Sequence, residues 1–435
     1  MTFEEAQAYL DDRAKWGIRP GTERIQAIVK ALGHPQRSYP VIHVAGTNGK
    51  YSVASMIASI LGSLGLTVGV YTSPHLEHVR ERIAIGREPI APDDFAGVLS
   101  YLRPYLDVVE ADRDDHLTYF ETLTAMAFEW FFDRGVHVAV VEAGLGGEYD
   151  ATNVAEARVA VVTNVGSDHL TTFGDLRTAA WEKAGVIKEG TIAITGVADP
   201  ELLDVVAERA RERGAEAFRV LGVDVDVSAR VPSLGGQTLT ISTPHGRYED
   251  LFLPLFGPHQ ATNAALAVAG AEAFAGEELA REPLADGLAL TRVTGRMEVV
   301  GRRPLIVVDG AHNPPGADAA VATLRESFTY GRLLGVVAMV GDKSIEEVVG
   351  TVGPLCDLVY VARPRDERGA PVQRLVEGLE TAGVTDIATR ETVADALADA
   401  VEEAAPDDLV FVFGSLYTIG EALSWLRNRG VLPQG

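Results

Sequence analysis

The 435-residue chain carries 62 acidic against 38 basic residues, a formal net charge of −24. Such a surface repels nucleic acid and anionic lipid over the long range. Hydrophobic residues at 47% and charged residues at 23% fit a folded globular protein, and the length exceeds one ordinary core, so two domains are expected.

The start, Met1 to Asp12, is polar and acidic and lacks the basic-then-apolar order of a signal peptide, so a cytoplasmic protein is expected. Val41–Ala45 reads as a short buried strand that runs into Gly46-Thr47-Asn48-Gly49-Lys50. Apolar residues then recur at Val53, Met56, Ile57, Ile60, Leu61 and Leu64, one stripe of a helix. No charged side chain occurs between Lys50 and Glu77, but glycines at 62, 65 and 69 interrupt the stretch. Helix, turn and buried strand account for it better than a membrane span. Further buried strands are predicted at Val68–Thr72, Val138–Val141 and Val159–Thr163, with helices between several of them. Alternating apolar strands and helices predict an α/β fold with a parallel sheet covered on both faces. Each strand ends in polar residues: Ser73, Glu142, and the run from Asn164 to His169. Ligands of such sheets bind beyond the carboxyl ends of the strands.

From Ala215 to Leu255, Val/Asp alternation with turn signals at Leu234-Gly235-Gly236 and His245-Gly246 predicts an antiparallel β insertion. A helix is expected over Gln260–Phe274, and a domain boundary between Leu288 and Arg296, giving domains 1–293 and 294–435. The second, smaller domain restarts the alternation, with strands expected at Leu305–Val308, Leu333–Val340, Leu358–Val361 and Leu409–Phe413. The single cysteine, Cys356, cannot form an intramolecular disulfide, and no Cys cluster offers a structural zinc site.

Strand, glycine-rich loop, helix is the order of a phosphate loop, in which backbone N–H groups reach phosphate oxygens and Lys50 supplies charge. Val44 stands where the general motif has its first glycine, and Tyr51 follows the lysine where Ser or Thr is usual. The alternative is a glycine-rich turn with an exposed lysine. Glu142 is a strand-end carboxylate, expected to face solvent, that suits magnesium or a helix cap. His169 suits a metal or a structural role, and Lys183 read alone is a helical lysine in a solvent salt bridge. His116 and His137 carry no partner pattern, and neither Ser73 nor Ser415 lies in a G-x-S-x-G elbow.

Taken together the motifs resemble the folylpolyglutamate synthase/dihydrofolate synthase family of the Mur ligase superfamily, over nearly the whole chain. The resemblance rests on Gly46 to Lys50, Tyr71-Thr72-Ser73-Pro74-His75-Leu76, Glu81-Arg82-Ile83, Tyr119-Phe120-Glu121 and Glu142-Ala143-Gly144-Leu145-Gly146-Gly147. It continues through Asp150-Ala151-Thr152-Asn153, Asp168-His169, Glu182-Lys183-Ala184-Gly185, Gly295-Arg296, Asp309-Gly310-Ala311-His312-Asn313-Pro314, Gly341-Asp342-Lys343 and Gly414-Ser415-Leu416-Tyr417. The fold implied is a phosphate-loop parallel-sheet ATP-binding domain with an antiparallel β insertion, followed by a Rossmann-like domain. The reaction implied is ATP-driven phosphorylation of a dihydropteroate or folate carboxylate, then displacement of phosphate by the amine of L-glutamate.

By the same resemblance, Ser73, Glu142 and His169 correspond to magnesium ligands, and Lys183 to a carbamylated lysine approaching a second ion. Lys50, His169 and Lys183 are the catalytic candidates. Gly46, Thr47, Asn48, Gly49, Lys50, Ser52, Asn263, Arg296, Asp309 and His312 correspond to ATP contacts, so that ATP would bridge both domains. The acceptor pocket is expected around His75, Arg82, Tyr119, Phe120 and Glu121, with Tyr51 at its mouth. A monomer without nucleic-acid or membrane partners is expected. Tyr51 departs from the family's glycine and Ser167 from its leucine, which leaves open a non-folate carboxylate acceptor. A nucleotide-binding regulator without turnover is the third reading, opposed by the presence of Glu142, His169 and Lys183.

Overall fold

In the computed structural model, which describes residues 1–113, 115–168 and 170–432, the run Val41–Ala45 forms strand β1, buried at all five positions. A strand buried on both faces belongs in the middle of a covered parallel sheet. Its companions are β2 (Val68–Tyr71), β3 (Ile83–Ile85), β4 (Glu88–Pro89), β5 (Val138–Glu142), β6 (Ala157–Val162), β7 (Ile192–Thr195) and β8 (Ala217–Val220). Among the described residues the order is β4-β3-β2-β5-β1-β6-β7-β8. The strands from β2 to β8 run parallel, and β3 and β4 form an antiparallel edge. β1 therefore lies between β5 and β6, and the loops leaving all three open on one edge of the sheet.

Helices α1 (Phe3–Asp12), α2 (Glu23–Ala31), α3 (Lys50–Ser63), α4 (Pro92–Arg113), α5 (Tyr119–Asp133), α6 (Leu170–Phe173), α7 (Leu176–Ala184), α8 (Pro200–Arg213), α9 (Pro258–Ala275) and α10 (Arg281–Leu290) accompany this sheet. One apolar cluster joins α1, α2, α4 and α5 to Val41, Tyr71, Ala139 and Val141. A second joins α7 and α8 to Ala45, Ala143, Ala160 and Ala193. Local chemistry marks the helix ends. Thr118 and Glu121 close a capping box on α5, and Asp199 caps α8 with Pro200 at its first position.

The stretch 215–255 differs in part from the sequence expectation. Ala217–Val220 pairs in parallel with β7 and extends the main sheet as β8. The insertion starts later, as β9 (Asp226–Ser233), β10 (Gly236–Ser242) and β11 (Arg247–Leu253), a three-stranded sheet in the order β11-β10-β9. Gly235, at φ 78°, supplies the tight turn between the first two strands.

The chain divides into two units, the first made of Met1–Val231, Thr238–Pro254 and Ala261–Thr291, the second of Pro232–Gln237, Leu255–Gln260 and the residues from Arg292 on. The second contains β12 (Glu298–Arg302), β13 (Leu305–Asp309), α11 (Pro314–Ser327), β14 (Leu333–Val337), α12 (Ile345–Val352), β15 (Leu358–Arg363), α13 (Val372–Thr381), β16 (Ile387–Thr392), α14 (Val393–Glu403), β17 (Leu409–Phe413) and α15 (Leu416–Asn428). Its sheet runs β12-β13-β17-β14-β15-β16, parallel except for β12. No helix among the described residues is long and apolar enough to cross a membrane.

Candidate active site

The loop after β1 is fastened to the segment after β6. Gly46 has φ 148°, and a Cβ built on it would stand 1.9 Å from Thr163 Oγ1 and 3.2 Å from Asn164 N, so only glycine fits. The Asn48 N–H donates to Asn164 Oδ1 at 2.9 Å, while Thr163 Oγ1 and Asn164 Nδ2 donate to the Asn48 carbonyl at 2.6 and 3.1 Å. The Thr47 N–H donates to Asn164 O, and Thr47 Oγ1 accepts from the Gly166 N–H. Gly49, at φ 82°, caps α3, and a Cβ there would meet Asn263 Oδ1 at 2.5 Å. Lys50 Nζ donates to the Thr47 carbonyl at 3.2 Å. Ser52 is buried and Tyr51 half-buried in the first turn of α3.

Glu142 pairs in register with Val44 on β1. It does not face solvent: it is 2% exposed, and its Oε2 accepts the Ser73 N–H at 3.0 Å. A buried carboxylate needs such partners to stay charged. Lys183 also departs from its reading in isolation. Rather than forming a solvent salt bridge it is 4% exposed, with Nζ 3.2 Å from the Gly46 carbonyl and 5.3 Å from the Phe173 ring centroid. Burial lowers its pKa to about 7, aided by Lys50 and opposed by Asp168 and Glu182. Two glycines set its position. A Cβ on Gly147 would meet the Glu182 and Lys183 carbonyls at 2.7 and 2.9 Å, and one on Gly185 would meet Glu148 at 2.5 Å.

Among the described residues no group of three or more His, Cys, Asp and Glu side chains gathers into a ready metal cage. The Ser73 hydroxyl and Glu142 carboxylate are hard oxygen donors next to a phosphate loop. That sparse set fits magnesium, which keeps waters and takes up substrate phosphates rather than filling an all-protein cage. His169 lies outside the described residues.

One strand further along, Arg82 Nε donates to His75 Nδ1 at 2.9 Å, and its guanidinium lies 5.4 Å from the Tyr119 ring centroid. Burial, then Arg82 and His78, lower the His75 pKa to about 3, so the ring is neutral. Phe120 packs on Gly144, where a Cβ would meet its Cζ at 2.6 Å, and lies 5.8 Å from the Tyr71 ring. The Glu121 carboxylate is buried and occupied: Arg24 Nε donates to both oxygens, at 3.0 and 3.1 Å, and the Thr118 N–H to Oε2. It anchors the start of α5, the helix that carries Tyr119 and Phe120.

In the second unit Asp309 ends β13, where its oxygens accept from the Met297 and Ala311 N–H groups, both at 2.8 Å. Burial raises its pKa against the pull of Arg296. Arg296 Nη1 would stand 2.3 Å from a Cβ on Gly310, and His312 Nδ1 donates to the Gly310 carbonyl at 2.8 Å. These three side chains thus gather around one glycine. Thr163, Asn164, Asp150 and Thr152, which fasten the first unit's site, were named in the sequence as strand-end or motif residues but given no role there. The signal available was position, since Thr163 and Asn164 directly follow a buried strand at its carboxyl end.

Residues 44–271 match the Mur ligase middle domain, and residues 295–416 match the Mur ligase glutamate ligase domain. The dihydrofolate synthase/folylpolyglutamate synthase of Mycobacterium tuberculosis is 37% identical, in a match covering 93% of this chain and 90% of that one. This chain belongs to the dihydrofolate synthase/folylpolyglutamate synthase family. It is a ligase of two-domain Mur ligase architecture. The Bacillus subtilis dihydrofolate synthase/folylpolyglutamate synthase is 31% identical, covering 98% of this chain and 99% of its own. Mycobacterium tuberculosis folylpolyglutamate synthase complexed with ADP superposes with a TM-score of 0.93 at 36% identity, over 97% of each chain. Escherichia coli FolC in complex with DHPP and ADP gives a TM-score of 0.89 at 32% identity, over 99% of each.

Proposed function

We propose that this ligase couples ATP cleavage to an amide bond between the carboxylate of dihydropteroate or a folate and the amine of L-glutamate. The observation that carries the reading is the phosphate loop, fastened to Thr163 and Asn164, beside the buried Glu142–Ser73 pair on one sheet edge. An acceptor carboxylate oxygen attacks the γ-phosphorus, the bridging P–O bond breaks, and ADP leaves. The neutral amine of glutamate then attacks the acyl carbon, phosphate departs with the C–O electron pair, and the nitrogen loses its proton to solvent. All the reactants are anions, so the chain's part is to hold them together in line against their repulsion.

Backbone N–H groups at the Gly49–Lys50 start of α3 and the Lys50 ammonium take the triphosphate, with Ser52 in the same turn, while the Thr47 and Asn48 N–H groups stay on Asn164 and hold the loop in shape. Asn263, Arg296, Asp309 and His312 are the further proposed nucleotide contacts. Ser73, Glu142 and His169 would hold magnesium, with Lys183 toward a second ion; when bound, the metal neutralises phosphate charge. Lys183 suits carbamylation because an amine with a pKa near 7 is substantially unprotonated at neutral pH. Its lone pair can attack carbon dioxide, forming N–COO⁻ and releasing a proton. His75, Arg82, Tyr119 and Phe120 would line the acceptor mouth, with Glu121 as their support. We take residues 1–293 as the phosphate-loop ATP-binding domain and 294–435 as the Rossmann-like ligase domain of a cytoplasmic monomer.

A second reading keeps the chemistry but changes the acceptor to a non-folate carboxylate. The half-buried Tyr51 ring, in the first turn of the phosphate-loop helix, favours it. The test is ADP release with glutamate present, comparing dihydropteroate, tetrahydrofolate and no acceptor, with the amide product weighed by mass spectrometry. Turnover with a pterin supports the first reading. Turnover only with other carboxylates supports the second.

A further inference from the structure

β1 carries one polar side chain on an otherwise apolar face. Val41 and Ala45 enter the two apolar clusters on either side, and between them His43 is fully buried. Its Nε2 lies 2.8 Å from Thr152 Oγ1, and Nδ1 has no hydrogen-bond partner among the described residues. Thr152 Oγ1 in turn lies 2.5 Å from Asp150 Oδ1. The Asp150 carboxylate also accepts from two backbone groups, the Thr152 N–H at 3.0 Å and the Leu145 N–H at 2.9 Å. Burial raises the Asp150 pKa and these hydrogen bonds pull it back down; with the carboxylate ionised it only accepts, so the threonine hydroxyl donates to it and takes its own hydrogen bond from His43 Nε2–H. In that state the direction of every bond in the chain is fixed.

The far end of this chain is the turn after β5. Gly144 and Leu145 follow Glu142 by two and three positions, and a Cβ on Gly144 would meet both Phe120 Cζ at 2.6 Å and Asp150 Oδ2 at 3.1 Å. An aliphatic residue would fill this apolar face without burying a ring nitrogen that lacks a partner, so packing alone does not explain a histidine here. We propose that His43 is a positioning residue: through Thr152 and Asp150 it holds the Gly144–Leu145 turn, and with it the Phe120 wall, where the acceptor needs them. The inference rests on the acceptor mouth proposed above. The low pKa of His43, brought to about 3 by burial and Lys188, keeps the ring neutral, so the relay does not switch near neutral pH.

The test compares wild type, His43→Leu and His43→Gln, whose amide nitrogen can occupy the place of Nε2. KM for ATP and for the acceptor are measured separately, with hydrogen exchange of peptides spanning residues 142–150. His43→Leu should raise the acceptor KM about tenfold and speed exchange there, while the ATP KM stays within about twofold; His43→Gln should recover most of both. A residue that merely packs β1, the strand feeding the phosphate loop, would raise both KM values together. Such a parallel rise, unchanged kinetics, or failure of His43→Gln to recover overturns the proposal. Should His43→Leu not fold, Thr152→Val breaks the same relay at equal volume and must reproduce the split, whereas Thr152→Ser must not. If wild type turns over no pterin, the functional reading has failed; exchange at 142–150 left unchanged by His43→Leu still overturns the relay by itself.

Discussion

Gly46→Ala tests the geometry that makes residues 46–50 a phosphate loop. The added methyl would stand 1.9 Å from Thr163 Oγ1 and 3.1 Å from Thr163 Cβ, in a residue held at φ 148°. An L-residue at positive φ costs about 1–2 kcal/mol. Pushing Thr163 aside breaks its 2.6 Å bond to the Asn48 carbonyl. Losing that bond costs about 1 kcal/mol. Forcing the side chain off its rotamer adds about 1 kcal/mol. The sum is about 3–4 kcal/mol, and the loop yields before β1, which is buried on both faces. ADP affinity, measured by calorimetric titration, should therefore fall at least about 100-fold while circular dichroism stays unchanged. Thr163→Ala on the Gly46→Ala background removes the nearest obstacle and should recover about tenfold. ADP binding by Gly46→Ala within about threefold of wild type would refute the reasoning.

Glu142→Gln keeps the shape of the strand end and removes its charge; amide formation should fall by about a hundredfold or more, and ADP binding should lose its enhancement by magnesium. An unchanged magnesium titration would remove Glu142 from the metal site. Depleting carbon dioxide should lower activity and bicarbonate should restore it, more readily above pH 7, where the Lys183 amine is mostly neutral. A carbon-13 carbamate signal that survives in Lys183→Ala counts against this. His43, with a folded pKa of about 3 against the ordinary 6.5, binds its proton more readily in the unfolded chain, so its penalty grows as pH falls from 6.5 toward 3 and is absent above that window. Wild type should thus lose about 2–3 kcal/mol relative to His43→Gln between pH 7 and 4 in urea unfolding, and a constant difference would disprove it. With a net charge of −24, the fold should gain thermal stability as KCl screens self-repulsion. A melting temperature that is flat or falling between about 0.1 and about 1 M KCl contradicts that.

Buried strands were the most legible elements. β1 and β17 have the boundaries read from their apolar runs, because a strand covered on both faces is apolar almost throughout, His43 being the exception in β1. Edge strands were not legible. β8 reads Ala217-Phe218-Arg219-Val220 and β16 carries Arg390 and Glu391, since one side of an edge meets water and its pattern resembles a loop. Of the site, residue types at strand ends were legible, but burial was not. Spacing cannot distinguish a lysine at the end of a helix facing water from Lys183, which is enclosed by Phe173 and the Gly46 carbonyl. Nor could it separate Glu121 from its neighbours Tyr119 and Phe120, because the partner that occupies it, Arg24, lies 97 residues away.

What those contacts have in common is the placing of the proposed site's groups by backbone approach. Gly46 meets Thr163, Gly144 meets Phe120, Gly147 meets the Glu182 and Lys183 carbonyls, and Gly185 meets Glu148, each closer than a side chain allows. Lys50 and Lys183 follow directly from elements set this way, and Glu142 is fixed by its register with Val44. Burial first, and then the nearby Lys50 ammonium, depress the pKa of Lys183 to about 7, which leaves its amine largely neutral in that enclosed place. Side-chain pairs alone would relax such an arrangement by rotamer change, whereas close backbone contacts do not permit it. The Lys50 ammonium, a positive charge that a strongly acidic surface withholds from anionic substrates, is thus held at one rigid edge, where it costs little reorganisation to use.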